Sequence, residues 1–153
     1  MHTLDTVSFL DTALALLDEG KTDIPVPVAG SSMTPFLRPQ DTVYLSRIDR
    51  PICRGDILLY RRASGQYVLH RVRKVGKDTF DMIGDAQTET EYGVPHEAVC
   101  AIVRKVKRGN ALLTPDSPLW RFYQRVWLVA IPLRPTAVKV REAMRKRKRA
   151  SRL

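Results

Sequence analysis

The stretch Gln66-Tyr67-Val68-Leu69-His70-Arg71-Val72 alternates at a period of two instead of recurring at helical steps. Successive strand residues point to opposite faces, so Val68, His70 and Val72 share one face and Tyr67, Leu69 and Arg71 the other. The same period runs outward on both sides. Residues 26–29, 42–46, 56–61, 66–74, 79–83 and 98–106 read as short strands. Turn formers at Arg38-Pro39, Arg54-Gly55, Ser64-Gly65 and Gly84-Asp85 separate them. Short strands without intervening helices predict a mainly β chain with an antiparallel core, barrel-like or a sandwich.

The flanks are helical. Leu4, Val7, Leu10, Leu14 and Leu17 recur at three- and four-residue steps, with Asp5, Asp11 and Asp18 off that stripe and Gly20 as a stop. Pro118 and Pro132 bracket an apolar, aromatic segment, residues 119–131. As a helix it would be about 20 Å long, short of a roughly 30 Å hydrocarbon core. Two readings of it stand open: an interfacial helix on a membrane surface, or a helix docked on the β domain. The expected division is a helix over 1–22, a β core over 23–115, and a helix with a polybasic tail over 116–153.

The 153 residues are 44% hydrophobic and 27% charged, which excludes a disordered chain and suits one domain. The net charge of +10 is unevenly placed. Residues 134–153 hold nine Lys or Arg against Glu142 alone, which is +8 and leaves +2 for the rest. Such a tail suits an anionic surface, membrane lipid or nucleic acid. The β region is nearly neutral and the tail lacks interleaved aromatics, so no specific nucleic-acid partner is expected. Cys53 and Cys100 are too few for a disulfide framework and read as buried free thiols. His2, His70 and His96 share no ligand spacing, so neither metal nor cofactor is expected. With no signal peptide and no transmembrane helix predicted, the expected location is the cytoplasm or the periphery of the cell membrane.

Three pieces carry chemistry-bearing side chains: Gly30-Ser31-Ser32-Met33-Thr34-Pro35, His70 in its apolar row, and Ile83-Gly84-Asp85. Each alone is commonly structural. Together they are ordered like the boxes of type I signal peptidases, and the chain resembles that family. The first piece is similar to the family's G-x-S-M-x-P box. Gln40-Asp41-Thr42-Val43 resembles G-D-x-V with Gln40 in place of glycine, and Arg54-Gly55-Asp56-Ile57 resembles R-G-D-I. Leu69-His70-Arg71-Val72 resembles the H-R-I/V box of the endoplasmic-reticulum and sporulating-bacterial branch, and Gly84-Asp85 the start of G-D-N. The match covers roughly residues 26–106.

The resemblance implies a signal-peptidase/LexA-like β core and a serine endopeptidase that cuts a leader or signal peptide in a peptide or preprotein substrate after small residues. Ser32 would be the nucleophile and His70 its base, in the place where the main bacterial branch has lysine. Either Asp85 or Glu91 would be the third member holding the imidazole. The Ser32 backbone N–H would serve the oxyanion. Two other readings compete: a self-cleaving LexA-like peptidase, which would use a lysine base behind a DNA-binding domain, and a non-catalytic β module binding nucleic acid or membrane through its tail.

Overall fold

Ile57-Leu58-Leu59-Tyr60 has no polar face to turn toward water, and in the structure both of its faces are covered. The structure is a computed structural model that describes residues 3–130 and 144–150. The described strands are β1 (Ile24–Pro27), β2 (Thr42–Ser46), β3 (Ile57–Arg61), β4 (Tyr67–Val75), β5 (Thr79–Ile83), β6 (Glu91–Pro95), β7 (Val99–Arg108) and β8 (Ala111–Leu113). They form one sheet in the order β1-β2-β7-β3-β4-β5-β6, with β8 also on β7. Every pairing is antiparallel.

The central strands divide their side chains between two cores. Ile57 and Leu59 of β3, with Ala101, Val103 and Val106 of β7, join the first. Leu58, Tyr60 and Ile102 join the second, with Val68, Phe80 and Met82. This two-sided burial explains why β3 reads as a continuous apolar run while β4 still alternates at its start. Helix α1 (Thr3–Asp18) covers the first core with Leu10, Ala13 and Leu17.

Six strands lie where the alternation predicts them, two at both ends and four with an end shifted by one or two residues. β6 and β8 were not expected. β6 is a sheet edge containing Gly93 and Pro95, residue types that weaken a strand signal. β8 has only three residues, too few for any period to register. The expectation of two buried cysteines is not met: Cys100 is half-buried and Cys53 exposed. Cys53 lies in the turn before β3, where the Asp56 N–H donates to its carbonyl and its own N–H donates to Asp56 Oδ2.

The segment after β8 is helical and docked. It comprises α2 (Pro118–Phe122) and a wider π-type turn, Tyr123–Trp127. Trp120, Tyr123 and Leu128 are buried. Phe36 receives Trp120 edge-on at 5.3 Å and Tyr123 at 5.2 Å between ring centroids. Part of the predicted tail, residues 131–143 and 151–153, lies outside the described residues. No helix among the described residues is long and apolar enough to cross a membrane.

Candidate functional site

Ser32 and His70 are 38 positions apart in sequence and line one cavity of about 270 Å³. Val28, Ala29 and Gly30 form one side of it, and Gln66 to His70 the other. β5 begins to pair with β4 only at Arg71, opposite Ile83. The outer backbone edge of Tyr67 to His70 therefore has no strand partner among the described residues. β1, on the other side, pairs only with β2.

Ser32 sits in a turn instead of an extended segment. The Thr34 N–H and hydroxyl both donate to the Ser31 carbonyl. The Gly84-Asp85 turn clamps Ser32 from behind, because the Ala86 N–H donates to the Ser32 carbonyl at 2.9 Å. A Cβ on Gly84 would lie 2.5 Å from that same carbonyl oxygen, so only glycine fits there. The chain beyond the serine is tied down as well. Asp41 accepts two bonds from Arg108, and Arg108 also donates to the Phe36 carbonyl.

His70 is buried, and its environment comes from β-sheet register. Leu58 lies opposite His70 and Tyr60 opposite Val68, which makes Tyr60 the diagonal neighbour of His70 on one face. Tyr60 Oη is 3.2 Å from His70 Nδ1 and donates to Glu91 Oε2 at 2.5 Å. A carboxylate can only accept, so the single tyrosine proton points at Glu91. Tyr60 Oη is then the acceptor for Nδ1–H, which leaves Nε2 as the unprotonated nitrogen. Glu91 is held in turn by Arg62 through Nε at 3.0 Å and Nη2 at 2.9 Å.

The charges of this cluster follow from those contacts. Burial, helped by the Arg62 charge and opposed by Glu91, pushes the His70 imidazole down to about 4. The Arg62 hydrogen bonds hold the Glu91 carboxyl below its ordinary range against burial. Burial and the Glu91 carboxylate push the Tyr60 hydroxyl up, so it keeps its proton. At neutral pH the cluster is therefore a neutral imidazole, a protonated phenol, a carboxylate and a guanidinium.

Asp85 is differently placed from Glu91. Its two oxygens accept from Arg71 Nε and Nη2, each at 2.8 Å, and both side chains are fully buried. Arg71 Nη1 also donates to the Gly55 carbonyl at 2.9 Å, and its guanidinium lies 5.1 Å above the Phe36 ring. The pair thus joins the 54–56 turn, the 84–86 turn and the segment after Ser32. Sequence reasoning missed Tyr60 and Arg62. Pairing Leu58 with His70 would have revealed Tyr60, but the alternation gives faces and not register.

Ser32 and His70 thus line the same cavity, and the hydrogen bonds described for the imidazole run from Nδ1 to Tyr60 and on to Glu91. Among the described residues, no group of three or more His, Cys, Asp or Glu side chains could hold a metal ion. No family model matches this chain, and no curated protein sequence matches it.

Proposed function

We propose that this protein is a serine endopeptidase of signal-peptidase type, cleaving a leader or signal peptide after small residues. One observation carries the reading: Ser32 and the neutral, buried His70 open onto the same cavity. Ser32 Oγ attacks the scissile carbonyl carbon as its proton moves to His70 Nε2. The Ser32 N–H donates to the oxyanion. The imidazolium then gives its proton to the leaving amine, and water hydrolyses the acyl-enzyme by the same steps in reverse. Glu91, acting through Tyr60, fixes the tautomer of the neutral imidazole and stabilises the imidazolium, in place of a directly bonded acid.

The substrate class is supported by size and edges. A cavity of about 270 Å³ falls below the roughly 300–1,000 Å³ of drug-sized sites. It suits one or two small side chains. The strand edges of β1 and of Tyr67 to His70 offer backbone donors and acceptors to an extended peptide laid between them.

The test is cleavage of a peptide library with small residues around a central bond by the purified full chain, beside Ser32→Ala and Lys74→Ala. Lys74 is exposed and does not line the cavity, so its loss should leave cleavage intact. Cleavage should vanish with Ser32. Activity that survives Ser32→Ala, or that depends on Lys74, would overturn the reading.

A further inference from the structure

The helical segment from Pro118 to Ala130 has an inner and an outer face of unusual character. Inward, Trp120, Tyr123 and Leu128 are buried, and Trp127 Nε1 donates to the Asp85 carbonyl at 2.9 Å. A helix docked this way ordinarily turns polar side chains outward. Here Leu119, Phe122, Val126 and Val129 are 40%, 44%, 52% and 68% exposed. Arg121 and Arg125 are exposed among them. Among the described residues, the Arg121 side chain forms an ion pair at 3.6 Å with the exposed Asp116. The chain then continues into residues 134–153, which carry +8, and the helix described over 144–150 is exposed throughout.

We propose that this outer face docks on an anionic lipid surface. The four apolar side chains enter the boundary between headgroups and acyl chains, while Arg121, Arg125 and the exposed basic residues at 145–149 meet lipid phosphates. The segment is too short to span a bilayer, so it lies in the interface plane. Charge and apolarity together select this occupant. A second copy of the chain would cover the apolar stripe in a two-fold contact, but would set Arg121 and Arg125 and two basic tails against their own kind. A nucleic acid would meet the arginines and leave Phe122, Val126 and Val129 in water.

The inference goes beyond the peptidase reading and does not depend on it, since the inactive Ser32→Ala chain should bind equally. The experiment is co-sedimentation of the full chain with vesicles of phosphatidylcholine alone and of phosphatidylcholine mixed with phosphatidylserine. The wild type should bind the mixed vesicles. Val126→Ser with Val129→Ser should weaken that binding about tenfold or more, with thermal unfolding little changed because both side chains are more than half exposed. Replacing the basic residues at 145–149 with glutamine should weaken it by at least as much. Three results would overturn the proposal: equal vesicle binding by wild type and stripe variant; RNA binding that exceeds vesicle binding and ignores the stripe; or a stripe-dependent dimer that binds no vesicles.

Discussion

Asp85 and Glu91 are six positions apart in sequence, yet substitutions at the two should fail in different ways. Asp85 is bonded through both oxygens to the fully buried Arg71, so Asp85→Ala leaves an unpaired buried cation. That should cost about 3–5 kcal/mol in denaturant unfolding. Glu91 is part-exposed, and its hydrogen-bonded route to His70 runs through Tyr60. Tyr60→Phe should lower kcat about 10- to 100-fold with little change in KM, since it removes support for a charge formed only during reaction. A matching rise in KM would place Tyr60 in substrate binding instead. The pH behaviour follows from His70. Its pKa falls to about 4 from an ordinary 6.5, so between those values the unfolded chain binds a proton that the folded chain does not. Stability should therefore be complete above about pH 6.5 and decline toward pH 4, by at most about 3 kcal/mol. His70→Gln should flatten that slope. Cleavage should likewise keep its acid limb near pH 4; a limb near 6.5 would mean that the imidazole is solvated during turnover.

Elements are where the sequence was most and least informative. Residues 42–46 and 79–83 alternate cleanly because each strand sets one face against a core, and both match the observed strands at both ends. β4 alternates only as far as His70. Arg71 is as buried as Val72, because its charge is met by Asp85 and not by water. A period argument reads that arginine as a solvent-facing residue, and only the partner from a distant turn reverses it. The same distance hid Tyr60. The order of the boxes brought Ser32, His70, Asp85 and Glu91 forward, but which acid faces the imidazole is a question of register. The turns between strands carry their own prediction. Gly84→Ala would press a methyl group against the Ser32 carbonyl and the Gln87 side chain, which a Cβ would approach to 2.5 and 2.9 Å. The turn must shift, so cleavage should be lost, with roughly 1–3 kcal/mol of stability. Full activity in that variant would show that Ser32 tolerates a displaced support.

At the scale of the whole molecule, one sheet separates two cores, and the helical segment at 118–130 braces the site from outside the sheet. Phe36 meets Trp120 and Tyr123, Gly55 sits against Gln124, and the Asp85 carbonyl receives Trp127. Phe36→Ala should consequently cost about 3–5 kcal/mol and also reduce cleavage, because the cavity it leaves loosens the turn that holds Ser32. Unfolding of this variant followed by tryptophan fluorescence and by circular dichroism should show the tryptophan signal moving first. Coincident transitions would mean that brace and sheet melt as one unit.

The brace has a consequence in time as well as in space. A ribosome makes every strand of this sheet before it makes Trp120, Tyr123 and Trp127. The strands can pair as they emerge, but the 54–56 turn, the 84–86 turn and the segment after Ser32 gain their common support only after residues 118–130 are free to fold back. Nascent chains arrested before that point should be nicked by added protease near Ser32, and chains extended past Ala130 should resist it. On the proposed peptidase reading, such a chain would be unable to cut anything, its own growing length included, until its sheet was already complete.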